Sequence, residues 1–360
     1  MMNGNDASRT RWLIYGANGY TGELIAEEAR KRGHTPIVAG RNREAVTAVG
    51  RRFALESRVF ELAHGDSLAT HLKDIDLVIN CAGPFSATAK PMLEGCTRSG
   101  THYLDITGET DVFELVHGES ARYADAGVVA MPGVGFDVVP SDCLAALLKA
   151  RMPDATRLRL AFKSLHGKWS PGTTKTMIEG LPRGGLVRKD GKLTKVRAAH
   201  KVILVPFEGP REQAVSIPWG DVSTAYHSTG IGNVEVFIGL PPAMIWQFRA
   251  SAPLAGLTGV AAIQRFLKGQ ANRRVKGRSE SERASSAVIL WGEVRNAEGK
   301  KQALTIRTPE AYTLTAVAAV RCAERVLAGE VKPGAVTPSM AFGGEFVLSL
   351  PGVSGPAAAS

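Results

Sequence analysis

Three glycines, Gly16, Gly19 and Gly22, stand three residues apart directly after the apolar run Trp12-Leu13-Ile14-Tyr15. Glycine tolerates positive φ and lets another group approach the main chain closely. A helix-like pattern begins beside the second glycine, so the first amides of that helix point at whatever occupies the turn, with the helix dipole behind them. The chemistry such a turn serves is the holding of a phosphate. A bare glycine triplet is weak evidence, because strand-turn-helix corners need glycine anyway. Its setting in a run of alternating strands and helices makes it a dinucleotide site. Gly16, Asn18, Gly19, Tyr20, Thr21 and Gly22 are the residues expected to line it.

The end of the next strand selects the dinucleotide. An acidic residue there would accept from a ribose 2′-hydroxyl; here the chain reads Gly40-Arg41-Asn42-Arg43. A guanidinium pairs with a 2′-phosphate, which a carboxylate would repel. NADP(H) is therefore the expected cofactor, with Arg41 and Asn42 at its adenosine end. Further on, Asn80-Cys81-Ala82-Gly83-Pro84-Phe85 closes another apolar strand. Small residues at Cys81, Ala82 and Gly83 admit the cofactor's nicotinamide side, and Pro84 and Phe85 shape the pocket beside it. Cys81 reads as a small buried filler, since no base is apparent near it.

The elements that must position these residues follow from periodicity. Short Val/Ile/Leu-rich strands are expected at 12–15, 35–39, 58–61, 77–81, 103–106 and 128–131. Helical stretches lie between them, near 21–32, 43–54, 67–72, 89–99 and 111–126. Strands of that kind, buried on both faces, belong to a parallel sheet. After about residue 145 the rhythm changes. The runs at 156–164, 200–209, 233–240, 286–294 and 301–308 read as strands without regular crossover helices, the last two as a hairpin. The stretch 182–197 reads as a loop rich in glycine and lysine. The fold class is α/β: a Rossmann-type doubly wound parallel sheet, with a second α+β domain on a mixed or antiparallel sheet.

Four further stretches make the chain recognisable. "YGANGYTG", "NCAGPF", "YLDITGE" (103–109) and "GVGFDVVPSD" (133–142) resemble, in order and spacing, the saccharopine dehydrogenase-like family. Its members include saccharopine reductases and the trans-acting enoyl reductases of lipid biosynthesis. The resemblance implies an NADP-dependent oxidoreductase. It also implies a nucleotide domain, 1–145 and 308–360, interrupted by a substrate and dimerisation domain, 146–307. Gly135, Phe136 and Asp137 then join the cofactor-binding set. Asp105, Glu109 and Asp137 offer carboxylates at strand ends, and Tyr312 opens the returning helix. Tyr312, Asp137 and Glu109 are the candidates for a proton donor. Ser141 is expected to cap the helix that follows it, with Asp142 in its first turn.

Rival chemistries fare less well. None of the six tyrosines has lysine four residues on, as short-chain dehydrogenase catalysis requires. A thiolate mechanism through Cys143 lacks a neighbouring histidine. A non-catalytic NADPH-binding protein stays open, because no donor is obvious. For an imine substrate bearing carboxylates, the available cations are Lys175, Arg183, Arg188 and Arg197. For an apolar enoyl or enone substrate there is the Gly/Ala-rich stretch 241–267, followed by Arg265, Lys268, Arg273, Arg274, Lys276 and Arg278. That pairing favours an apolar substrate and peripheral contact with an anionic membrane or an acidic carrier protein. Arg249 and two prolines argue against a spanning helix. The 360 residues carry a net charge of +10. No basic-aromatic reading surface accompanies that charge, so nucleic acid is not an expected partner. No metal is expected either. Four scattered cysteines and no apolar leader point to the cytoplasm. An antiparallel sheet edge in the second domain makes a homodimer the expected assembly.

Overall fold

The structure, a computed structural model, describes residues 10–62, 66–165, 184–251 and 286–359. Lys175, Arg183 and the basic run from Arg265 to Arg278 lie outside the described residues, as does the apolar segment beyond 251.

In chain order the first stretch gives β1 (Trp12–Tyr15), α1 (Tyr20–Lys31), β2 (Ile37–Gly40), α2 (Arg43–Phe53), β3 (Ser57–Val59), α3 (Asp66–Leu72), β4 (Leu77–Asn80), α4 (Phe85–Ser99), β5 (His102–Asp105), α5 (Thr110–Gly118), α6 (Ser120–Asp125) and β6 (Val129–Met131). Then come α7 (Val139–Arg151), β7 (Arg157–Leu165), β8 (Gly185–Lys189), β9 (Lys192–Val196), β10 (Val202–Val205), β11 (Glu212–Ser216), α8 (Asp221–Thr229), β12 (Asn233–Gly239), α9 (Pro242–Ser251), β13 (Ala287–Arg295) and β14 (Lys301–Pro309). The chain ends with α10 (Ala311–Leu327), β15 (Gly334–Ala335), α11 (Pro338–Phe342), a 3-10 turn at Gly344–Ser349 and β16 (Ser354–Ala358).

Two compact units result. The first runs to Phe136 and resumes over Thr315–Ala341; the second takes Asp137–Leu314 and Phe342–Ser360. The first unit is a parallel sheet in the order β15-β6-β5-β4-β1-β2-β3. That is a doubly wound sheet whose order reverses between β1 and β4, the place where ligands bind in such folds. β1, β2 and β4 are buried along their whole length. Their apolar character explains this: crossover helices cover both faces. α10 re-enters against α1, where Glu324 takes Arg32 at 2.8 Å and His34 at 2.8 Å. These partners offset burial and hold the Glu324 carboxyl down at about 2.

The second unit is a mixed sheet. β10, β11, β12, β7, β13, β14 and β16 follow one another, antiparallel except for the β12–β7 pair. α7 packs closely on it, for a Cβ added at Gly292 would sit 2.6 Å from Leu148 Cδ1. Two differences from the expected boundaries stand out. The helix after "GFDVVP" and the tail from Phe342 belong to this unit, because β16 hydrogen-bonds to β14. The expected loop at 182–197 contains the β8–β9 hairpin. Its turn, Asp190-Gly191, has φ of 48° and 79°, the conformation a tight hairpin demands.

Candidate functional site

The turn after β1 divides its glycines by task. Gly16 has φ +78°, and a Cβ there would meet Ala82 N at 2.8 Å; one on Gly22 would meet Gly16 O at 2.5 Å. Both are fixed by packing against main chain. Gly19 is different: its nearest neighbour would be Gly16 O at 3.3 Å, and Asn18, Gly19 and Tyr20 are all exposed. Gly19 precedes α1 without any side chain capping the helix, so the dipole end of α1 opens on this surface. Thr21 is half-buried in the first turn. Asn18 leans toward the end of β2, where a Cβ on Gly40 would come within 3.1 Å of its Oδ1.

Arg41 follows directly and is exposed. Its charge reaches the buried Tyr15 phenol, whose pKa burial raises and Arg41 pulls back. Arg41 makes no ion pair among the described residues, so its guanidinium is available to an anion. Asn42 also has a structural part. Its Oδ1 accepts from Ala45 N at 3.0 Å and caps α2. That bond holds the Asn42 side chain at the start of α2.

The loop from Cys81 to Phe85 borders the same end of the sheet. Cys81 and Ala82 are half-buried, Gly83 and Pro84 exposed. A Cβ on Gly83 would find only Phe85, at 3.8 Å, so no packing demands glycine there. Burial pushes the Cys81 thiol far up, in keeping with a filler.

Below this loop lies a buried polar network. Asp105 accepts from Tyr103 Oη at 2.6 Å and, on its other oxygen, from Thr107 N and Gly133 N at 2.9 Å each. Asn80 reaches Tyr103 and Thr88, and takes Ala82 N on its Oδ1. Glu109 N donates to Thr107 Oγ1 at 3.0 Å, while its carboxylate accepts from Phe85 N at 2.8 Å and Ser86 N at 2.9 Å. Glu109 thus caps α4 from a separate loop, and both oxygens serve as acceptors. This geometry gives Glu109 a capping role beside the expectation of a proton donor. Desolvation raises Asp105 to about 6 despite its three donors. The roles of Asn80, Tyr103 and Thr107 go beyond the expected site; their polar types in or just after apolar strands are the signal.

Gly135 and Phe136 lie in the first unit beside α10. Phe136 N donates to Thr315 Oγ1 at 2.9 Å, and a Cβ on Gly135 would strike Thr315 Cγ2 at 2.9 Å. Gly135 is therefore glycine for packing. Asp137 and Tyr312 belong to the second unit. The Asp137 carbonyl accepts from Trp219 Nε1 at 3.0 Å, and burial raises its carboxyl to about 6. Fully buried Asp221 is pushed well above the carboxylate range by burial, then by Asp142 and Asp137. Ser141 gives its hydroxyl to Val138 O at 3.1 Å. α7 starts at Val139, so Ser141 lies inside the helix and is not its cap. Tyr312 is half-buried, its amide donating to Glu310 at 2.9 Å. Arg188 is buried against Val222 O at 2.7 Å and Gly191 O at 2.9 Å, over the Tyr226 ring at 4.2 Å.

The residues of the first unit fit a dinucleotide with a 2′-phosphate. They offer an open glycine at a helix start, a guanidinium without a carboxylate partner among the described residues, and a small-residue loop whose Gly83 has room above it. Among the described residues no cluster suits a metal ion, and no helix is long and apolar enough to cross a membrane.

Comparison with known proteins agrees. Residues 12–131 match the saccharopine dehydrogenase NADP binding domain. A saccharopine dehydrogenase-like oxidoreductase of Homo sapiens is 26% identical over 224 residues, 55% of this chain and 51% of that protein. A Mycobacterium tuberculosis protein, provisionally named a trans-acting enoyl reductase, is 32% identical over 185 residues, 47% of this chain and 43% of that one. The chain thus spans about half the length of the curated relatives it matches. Apo saccharopine dehydrogenase (L-Glu forming) from Saccharomyces cerevisiae shares the fold, with a TM-score of 0.66 and 12% identity over 94% of this chain and 96% of that one. Residues 12–131 thus match a saccharopine dehydrogenase NADP binding domain, and the chain that carries them is similar to saccharopine dehydrogenase-like oxidoreductases.

Proposed function

We propose that the chain is a cytoplasmic NADPH-dependent oxidoreductase that reduces an apolar enoyl or enone-like substrate. The observation that carries the cofactor half is the exposed Arg41, unpaired with any carboxylate among the described residues, beside the open Gly19 turn. Bound NADPH supplies a hydride. The chain's own residues hold its phosphates on the α1 amides and at Arg41, and keep the Gly83–Phe85 loop in place through Glu109. Asp137 and Tyr312 stand as the proton-donor candidates. The raised Asp137 carboxyl keeps a sizeable protonated fraction near pH 6.

The apolar class is supported by the Mycobacterium tuberculosis relative's name and by the apolar stretch beginning at Pro241. Of the cations expected to meet a dicarboxylate imine, buried Arg188 is already committed to carbonyls, while Arg197 is exposed. The six cations of 265–278 fit peripheral contact with an anionic membrane or an acidic carrier protein. The test is NADPH oxidation with a medium-chain trans-enoyl thioester beside a dicarboxylate imine. Turnover of the thioester alone supports the reading. Turnover of the imine alone transfers the protein to amino-acid chemistry, and turnover of neither across chain lengths makes it an NADPH-binding protein.

A further inference from the structure

The connection from β10 to β11 crosses the face of the second sheet that bears Trp291. Phe207 of that connection is buried and packs with Ala161, Phe237, Ile289 and Trp291. A Cβ on Gly239 would meet its ring at 2.9 Å. Next along the connection, Glu208 accepts from Arg307 Nη1 on β14 at 3.2 Å. The pairing of β14 with β16 shifts register between Thr305 and Arg307. Gly355 lies at this shift with φ +110°, and a Cβ there would sit 2.8 Å from Thr305 O. A cavity of about 320 Å³ lies between the connection and the shifted strands, with Phe207, Glu208, Gly209, Thr305, Arg307 and Ala359 in its wall.

This part of the sheet offers donors without acceptors among the described residues. Thr305 and Arg307 lie two apart on β14, on one face and about 7 Å along the strand. Trp291 stands opposite Thr305 in the β13–β14 pair. The Thr305 hydroxyl and the Trp291 Nε1 are both buried and both lack a hydrogen-bond partner among the described residues, a state that costs free energy. Among the same residues Arg307 makes its one bond to Glu208, through Nη1, which leaves Nε and Nη2 uncommitted. A guanidinium and an indole N–H only donate, and a hydroxyl can donate. Their complement is a group with acceptor oxygens and negative charge. Pro206, Phe207, Ala357, Ala358 and Ala359 make much of the remaining wall apolar. The volume is at the small end for ligand cavities, which run to roughly 300–1,000 Å³.

We infer that this cavity binds a short-chain monocarboxylate, its carboxylate held by Arg307 and the Thr305 hydroxyl and its hydrocarbon chain laid against Phe207 and the alanines at 357–359. Glu208 is then a competitor built into the chain: its own carboxylate sits on the guanidinium and leaves as the ligand's arrives. The exchange costs little, because the Arg307 and Glu208 side chains are 47% and 41% exposed, and exposed ion pairs contribute little. Thr305 meets the ligand by a turn about its Cα–Cβ bond, which exchanges hydroxyl and methyl between staggered positions. A cation would be repelled by Arg307, and a neutral amide would lack the charge to displace Glu208. The cavity lies wholly within the second unit, and the inference is independent of the proposed substrate.

Calorimetry of the full-length protein with hexanoate tests it, with NADPH affinity as the check on folding. The wild type is expected to bind hexanoate, and to bind hexanamide, the same chain without the charge, at least tenfold more weakly. Arg307→Gln is expected to weaken hexanoate binding at least tenfold, and Thr305→Val several-fold. Glu208→Gln removes the competitor and is expected to tighten it several-fold. None of the three substitutions should change NADPH affinity. A wild type that ignores hexanoate at millimolar concentration overturns the inference. So does hexanamide binding as tightly as hexanoate, or hexanoate binding that Arg307→Gln or Thr305→Val leaves unchanged, which would place the carboxylate elsewhere on the protein. Weaker binding by Glu208→Gln, or a preference for α-amino acids over hexanoate, would assign Glu208 to a ligand ammonium and overturn it too.

Discussion

Glu109 reaches across to Phe85 and accepts its main-chain N–H at 2.8 Å, with the Ser86 N–H on the other oxygen at 2.9 Å. A carboxylate so placed fixes the end of the Cys81–Phe85 loop. If it served as a proton donor, Glu109→Gln would cost about 10²–10⁴-fold in turnover. As a cap, it is expected to keep turnover within a few-fold and leave the pH profile unchanged. Glu109→Ala is expected to lose roughly 1–2 kcal/mol of stability. Steady-state rates across pH, with denaturant titration, decide between the two.

Arg41 is expected to set cofactor preference. Replacing it with Ala removes charge-assisted bonds worth roughly 1.5–3 kcal/mol, a loss of about tenfold or more in NADPH affinity. NADH, which lacks the 2′-phosphate, should bind wild type and variant alike. Calorimetry with both nucleotides checks this; equal wild-type affinity for the two would remove Arg41 from the site.

Gly16 and Gly83 are expected to separate folding from binding. Gly16→Ala places a Cβ 2.8 Å from Ala82 N at φ +78°, so loss of thermal stability should precede any effect on binding. Gly83→Ala meets nothing closer than 3.8 Å. It should leave the melting temperature in place and weaken NADPH several-fold, because the space it fills is the ligand's.

Asp105 makes a pH-dependent contribution whose sign follows from its raised pKa. The folded protein holds this proton up to about 6, whereas the unfolded chain releases it near the ordinary carboxylate value. Stability from this group is therefore full below that value and is lost as pH rises toward 6. Above the window the cost is on the order of 2–3 kcal/mol for a fully buried group. Asp105→Asn keeps the Oδ1 acceptor for Thr107 N and Gly133 N and carries no charge. Its stability relative to wild type should improve from pH 4 to pH 7, as denaturant titrations at the two ends would show. Asp105→Ala, leaving those amides unpaired, should be worse than wild type at both.

Much of the first unit was legible because each of its signals is local. Gly16, Gly19 and Gly22 follow a strand and open a helix, and Arg41 ends the next strand in line. Val/Ile-rich runs reveal strands buried on both faces. What was not legible depends on partners distant in sequence. Glu109 meets Phe85 only when two loops meet, and Asp105 collects Gly133 from 28 positions on. Nothing local distinguishes such an acceptor from a catalytic carboxylate. Asn42 was ambiguous for the opposite reason: its own helix three residues on takes its Oδ1. The β8–β9 hairpin was misread through its glycines and lysines, although Asp190-Gly191 between alternating residues is itself a turn signal. Ser141 looked like a cap because the helix begins earlier, through Pro140 in its first turn.

The most direct test of the proposed reaction follows the hydride. NADPH deuterated on the reactive face of the nicotinamide is incubated with the protein and a medium-chain trans-enoyl thioester, and the product is analysed by mass spectrometry. The account predicts a saturated thioester carrying one deuterium, on the β-carbon. A saturated product without deuterium, or deuterium delivered only to a dicarboxylate imine offered in the same mixture, would contradict it.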